Sequence, residues 1–164
     1  MELLADYVRS ERDEIMDNDI RLDGIGDLAK LPDIAREGLQ ALMEESRGNE
    51  GMRLCLALSY GGREEIVEAA RQAARRVRDG ELDPEALSVD SFRGFLSRPD
   101  LPDPDLVIRT SGEMRVSNFL LWQIAYAEFH VTSTAWPEFG EEALLAALKD
   151  FAARERRFGK TGEQ

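Results

Sequence analysis

Two arginines stand six residues apart in the stretch DLVIRTSGEMRVSNFLLWQ, residues 105–123. Arg109 closes an apolar run, and Arg115 follows the small polar loop TSGEM. A guanidinium donates paired, charge-assisted hydrogen bonds in a fixed fork that matches phosphate and carboxylate oxygens. Ser117 is a good N-cap for a helix over NFLLWQIAYAE. The first turn of such a helix offers free N–H groups and a partial positive charge. Two forks, a hydroxyl and a helix mouth suit a phosphate or diphosphate. The same arginines could instead pair with Asp103, Asp105 and Glu113, and the residue types alone leave both readings open.

Other chemistry-bearing residues have plainer readings. The turn YGGR (60–63) is what a strand-to-helix connection needs, with Gly61 and Gly62 easing a tight bend. RERRFGK (154–160) closes an amphipathic helix, where cations are favoured; its alternative is an anion-binding arm. His130 lies between Phe129 and Val131, as a packed or interface histidine would. Trp122 and Trp136 read as core or interface aromatics. Cys55, in the apolar run MRLCLALSY, reads as a buried inert thiol. One cysteine and one histidine exclude an intrachain disulfide and a Cys/His zinc site.

The elements that must position these residues follow from periodicity. Residues 2–15 carry Leu3, Leu4, Tyr7, Val8 and Ile15 at helical spacing. A short strand is expected in 20–27. A helix opens at Pro32 and Asp33, with Ile34, Leu39, Leu42 and Met43 on one face. Residues 52–60 are apolar on both faces, as a buried parallel strand should be. A helix over 63–78 turns Ile66, Val67, Ala70, Ala74 and Val77 inward and stops at Gly80. One or two short helices fit the proline-rich connection 81–105. Strands are expected at 105–109 and 129–137. The last helix spans about 141–158, with Leu144, Leu145, Leu148 and Phe151 on one stripe. This alternation predicts an α/β fold: one domain over 1–164, an open and mostly parallel sheet flanked by helices. In such sheets ligands sit beyond the carboxyl ends of the strands, where Arg109 falls.

Composition narrows the partners. The chain has 164 residues, 43% hydrophobic and 33% charged, enough for a packed core. Its net charge of −12 argues against nucleic acid, while local clusters of arginine suit a small anion. No apolar run is long enough to span a membrane, and the acidic start is unlike a targeting peptide, so a cytoplasmic location is expected.

DPDLVIRTSGEMRVSNFLLWQIAYAEFHVTSTAWPEF resembles the C-terminal signature of the cis-prenyltransferases, the undecaprenyl diphosphate synthase family. LALSYGGREEI resembles that family's NYGGR segment, with Ser59 in the asparagine's place. RERRFG resembles its closing motif, and IRLDGIGDLAKLP also fits. The resemblance implies the family's α/β fold and its reaction, condensation of isopentenyl diphosphate with an allylic diphosphate in cis geometry with Mg²⁺. Carried over, Arg109, Arg115 and Ser117 would hold the diphosphate of isopentenyl diphosphate, with Val116 lending backbone. Glu128 would match a magnesium-linked carboxylate. Arg157 and Gly159 would belong to a tail that reaches the partner subunit's site, which implies a homodimer or heterodimer. Membrane contact would come only through the lipid product.

The family also carries a loop like MDGNGRWA, with the essential aspartate and the cradle for the allylic diphosphate. These 164 residues hold no such loop, and Asp17 in IMDNDIRL is not its equivalent. Met114 and Ser133 stand where relatives carry histidine and aspartate. The chain therefore corresponds to the C-terminal two-thirds of the family domain. It is expected to have no identified catalytic residue, a doubtful allylic site, and no turnover alone. The alternatives are a non-catalytic subunit that binds isopentenyl diphosphate or completes a partner's site, and a truncated fragment. A sheet missing strands should also show an unprotected edge and an uncovered apolar face.

Overall fold

A computed structural model describes residues 6–8 and 10–155. They fall into two compact units, Met1–Pro99 and Asp100–Gln164. Each unit carries its own two-stranded parallel sheet with helices beside it.

The first unit begins with helical residues 6–8 and α1 (Arg12–Asp17), separated by a bend at Glu11. The continuous helix expected over 2–15 is thus interrupted, although Val8 and Ile15 are buried as their spacing required. β1 (Arg21–Ile25) pairs in parallel with β2 (Arg53–Ala57), Arg21 opposite Arg53 and Asp23 opposite Cys55. Between them runs α2 (Asp33–Glu45), entered through Pro32, whose φ of −55° already suits a helix start. Ala35, Leu39 and Leu42 recur at helical spacing and are buried; Ile34, expected beside them, is 69% exposed. Leu22, Leu39 and Leu42 form the core with Val8, Ile15 and Leu31. One polar tie fixes the sheet to the end of α2, and a second joins the loops that lead into β1 and β2. The Leu22 N–H donates to the buried Ser46 hydroxyl at 3.0 Å, and Gly51 N–H donates to the Asp19 carbonyl at 3.0 Å.

Gly26 ends β1 with φ +100°; a Cβ there would lie 2.1 Å from the Leu58 carbonyl oxygen, so only glycine fits. β2 is half-buried rather than enclosed, and Cys55 with it. At the following turn the left-handed residue is Ser59 (φ 48°), not a glycine of YGGR. α3 (Gly62–Arg78) buries Gly62, Ala69 and Ala73, while Val67, Ala70 and Ala74 are exposed. The inward stripe is thus rotated toward the smallest side chains, which let the helix approach its neighbours closely. α4 (Val89–Arg93) is short but has a full capping box between Ser88 and Ser91.

In the second unit β3 (Leu106–Arg109) pairs in parallel with β4 (Glu128–Val131), Leu106 opposite Glu128 and Arg109 opposite Val131. α5 (Glu141–Ala152) follows and packs on β4 through Ala147, which is fully buried. Its leucines 144, 145 and 148, expected inward, are 41–45% exposed. The expected helix after Ser117 is absent. Residues 117–126 are successive turns, because Ser117, Asn118 and Leu120 all have positive φ, which an α-helix cannot include.

Candidate functional site

The loop after β3 is built as a tight reversal. Ser111 and Gly112 have φ of 58° and 67°, and the Glu113 N–H donates to the Thr110 carbonyl at 3.2 Å. Two left-handed central residues give a primed turn, for which glycine is the natural second residue. The reversal is anchored: Ser111 N–H reaches the Thr134 carbonyl at 2.9 Å, and Gly112 N–H reaches Thr132 at 2.8 Å. Arg109 and Arg115 therefore flank one pinned turn at the carboxyl end of β3. The irregular backbone of Val116 and the exposed, left-handed Ser117 follow directly.

The two arginines differ sharply. Arg109 is half-buried, and its Nε is buried with no hydrogen-bond partner among the described residues. A buried donor left unmade costs about 1–3 kcal/mol. Arg115 is 72% exposed at its side chain and pairs with Glu113 at 2.5 Å. Internal pairing thus holds for Arg115. An exposed pair of this kind contributes about 0–1 kcal/mol, so an incoming dianion can displace it. The helix mouth expected at Ser117 is not formed, which removes its dipole from the site. Backbone donors around Val116 and the Ser117 hydroxyl remain as neutral partners.

Glu128 lies elsewhere. Paired residues of parallel strands share a face, and successive residues alternate. Glu128 and His130 point with Leu106 and Ile108 toward α5, whereas Arg109 shares the other face with Val107, Phe129 and Val131. Glu128 is also three residues from Arg109 along the ladder, roughly 10 Å at about 3.3 Å per residue. Its Oε2 accepts from Arg154 Nη1 at 3.0 Å. Arg154 further donates to the Phe129 carbonyl at 2.9 Å and to Asp150 Oδ2 at 2.6 Å, and His130 Nδ1 lies 2.8 Å from the same oxygen. Hydrogen bonds to His130 and Arg154 hold the Asp150 carboxyl below its ordinary range. This cluster clamps β4 to the last turn of α5. Among the described residues no group of three or more His, Cys, Asp and Glu could hold a metal. Glu128 and Arg109 thus lie on opposite faces of the β3–β4 sheet. Arg157 and Gly159 lie outside the described residues.

Sequence reasoning missed a second charged centre, in the first unit. Asp23 is 6% exposed and accepts from Arg98 Nη1 at 2.5 Å and from Arg53 Nη2 at 2.9 Å; Arg21 Nε is 3.8 Å away. Burial pushes this carboxyl up, but the hydrogen bonds from Arg98 and Arg53 outweigh it and hold the group below its ordinary range. The available signal was an aspartate inside a strand otherwise apolar, with an arginine two residues before it.

Among the exposed apolar side chains of the second unit are Trp136 (73%), stacked on Phe139, and the α5 leucines. Phe129 and Val131 leave an apolar sheet face more than a third exposed. No described helix is long and apolar enough to cross a membrane.

Comparison with known proteins gives a consistent result. Residues 1–159 match the family model described as "Putative undecaprenyl diphosphate synthase". The chain is 48% identical over 164 residues to an isoprenyl transferase of Porphyromonas gingivalis and to one of Chlorobaculum tepidum. All of this chain aligns in both cases, but it spans only 65% and 62% of the length of those relatives. A crystallised lavandulyl diphosphate synthase from Lavandula x intermedia, in complex with dimethylallyl diphosphate, superposes with a TM-score of 0.94 at 40% identity. That match covers 98% of this chain and 70% of the other.

Proposed function

The chain belongs to the undecaprenyl diphosphate synthase family of isoprenyl transferases, and from that premise we propose that residues 1–164 carry the isopentenyl diphosphate half of a cis-prenyl transfer. Arg109 and Arg115 neutralise and orient the diphosphate, with the Val116 backbone and the Ser117 hydroxyl as neutral donors. The observation that carries this is the buried, unpartnered Nε of Arg109 beside a pinned turn. A diphosphate oxygen would satisfy it, and the second would draw Arg115 from its exposed pair with Glu113.

In the reaction, a carbon–carbon bond forms from the isopentenyl double bond as the allylic carbon–oxygen bond breaks. Diphosphate leaves, and the isopentenyl unit loses a proton. The arginine pair contributes positioning, which converts an encounter between two substrates into a step with fixed geometry. It acts on the diphosphate that stays attached, not on the one that departs. Mg²⁺, when bound, would share the charge of the diphosphate; Glu128, on the other face of the sheet and held by Arg154, does not join the Arg109 turn.

The allylic diphosphate has no evident cradle in these residues, so the 164-residue chain should bind isopentenyl diphosphate without turning it over. The second reading, a subunit that completes a partner's site, is favoured by the exposed Trp136, Phe129, Val131 and α5 leucines, which a second chain would cover. Arg157 and Gly159 would then act in the partner's site.

Calorimetry with isopentenyl diphosphate tests the first reading. Binding should be saturable, and Arg115→Ala should weaken it by about 2 kcal/mol, roughly thirtyfold. Unchanged affinity in Arg115→Ala would remove the site. Turnover by the 164 residues with farnesyl diphosphate would overturn the half-reaction reading.

A further inference from the structure

The first unit holds a cavity of about 460 Å³ between β1, α2 and the segment that ends at Pro99. That is far more than one ordered water needs, and it lies within the range of about 300–1,000 Å³ typical of small-ligand sites. Its polar lining is Arg21, Asp23, Gln40, Glu44, Arg47 and Arg98, with Met43 as an apolar wall. Three guanidiniums thus face two carboxylates. Arg47 and Glu44 form an exposed pair at 2.5 Å on the rim. Asp23, deep in the wall, is engaged by Arg98 on Oδ1 and by Arg53 on Oδ2.

Arg21 is the most loosely held of the arginines around Asp23: its Nε forms an ion pair with Asp23 Oδ2 at 3.8 Å, beyond hydrogen-bonding reach, and that oxygen also accepts from Arg53 at 2.9 Å. Its side chain is 35% exposed, so its guanidinium can still be reached from the cavity. Asp23 holds the neighbouring guanidinium in place and cannot serve all three. The excess positive charge is local, since the whole chain carries −12. A ligand held here is therefore bound by the fork, not drawn in by the overall field.

We propose that this cavity is a binding site for a small phosphorylated ligand, whose phosphate is taken by Arg21, with Arg98 and Gln40 beside it and Arg47 at the rim. The planar forks at the wall favour a tetrahedral oxyanion with several acceptor oxygens over a monocarboxylate, because more than one fork can be used at once. Arg109 and Arg115 are not among its lining residues.

The test uses the 164-residue chain and inorganic phosphate, followed by calorimetry and by the NMR signal of the Arg21 Nε–H. Saturable one-to-one binding with a shift of that signal is expected. Arg21→Gln should weaken it at least tenfold. Arg47→Glu, an exposed substitution that leaves the core untouched, should also weaken it, while Arg115→Ala should leave it unchanged. Non-saturating shifts spread over surface groups would overturn the proposal. So would phosphate binding that survives Arg21→Gln and Arg47→Glu but is lost in Arg115→Ala. Displacement by acetate at equal concentration would overturn the phosphate class. Failure here leaves isopentenyl diphosphate binding at Arg115 untouched, and the converse also holds.

Discussion

Arginine is used in opposite ways in the two units. Around Asp23 the guanidiniums of Arg53 and Arg98 converge on a carboxylate that a strand delivers into the interior. Around the 110–113 turn, among the described residues, Arg109 keeps a buried Nε with no partner, and Arg115 pairs with Glu113 two residues away. In the first arrangement the buried carboxylate is the structural centre for Arg53 and Arg98, so removing it should damage the fold. The second is open, so removing its parts should damage binding and spare the fold. Internal charge balance therefore separates an arginine that stabilises from one that waits for an anion.

The largest test of this contrast is Asp23→Ala. It strands two partly buried guanidiniums without their counter-charge, and breaking such a pair from one side costs about 3–5 kcal/mol. Urea unfolding should show that loss, and a change below about 1 kcal/mol would mean the cluster is not a structural centre. The pH dependence gives a second readout. The folded carboxyl is held below its ordinary value, so its contribution is present above the unfolded value near about 4 and fades as pH falls through the folded one. Asp23→Asn should flatten this part of the acid limb.

The counterpart is Arg115→Ala, expected to lose about 2 kcal/mol of isopentenyl diphosphate affinity while stability stays within about 0.5 kcal/mol. Equal losses in stability and affinity would erase the distinction between the units. Arg109→Met sharpens it further. The methionine fills similar space without the orphaned donor, so stability should rise by about 1 kcal/mol while binding falls. A destabilised Arg109→Met would show that the unpartnered Nε carries no strain.

The same contrast explains what was legible in the sequence. Parallel strands and their helices follow from apolar period and from turn residues such as Gly26; three strands fall inside their expected spans, while the one expected over 129–137 is shortened to Glu128–Val131 and gives way to loop and a 3-10 turn at Trp136–Glu138. Local charge patterning also exposed Arg109 and Arg115, because the loop between them is short. The Asp23 centre joins residues 30 to 75 positions apart, and no local pattern encodes such a meeting. Apolar side chains misled where helices were partnered through small residues, as at Ala69 and Ala73, or left open, as at Leu144 and Leu148. The stretch NFLLWQIAYAE has helical composition, yet three left-handed residues at its start prevent the helix from nucleating there. Propensity was overruled by a loop conformation.

Ser117 puts the smallest effect, and the finest comparison, inside the second unit. Its φ is 55°, a region that costs a side chain with a Cβ on the order of 1 kcal/mol. Glycine would relieve that cost but restore chain entropy to the unfolded state, so Ser117→Gly should gain only about 0.5 kcal/mol. It also deletes a hydroxyl that the diphosphate would use, worth about 1 kcal/mol of affinity, or a factor of roughly five. Thermal unfolding and calorimetry on one variant should therefore move in opposite directions. If Ser117→Gly instead lowers stability and leaves isopentenyl diphosphate binding intact, the hydroxyl serves the loop and the ligand is held by the arginines alone.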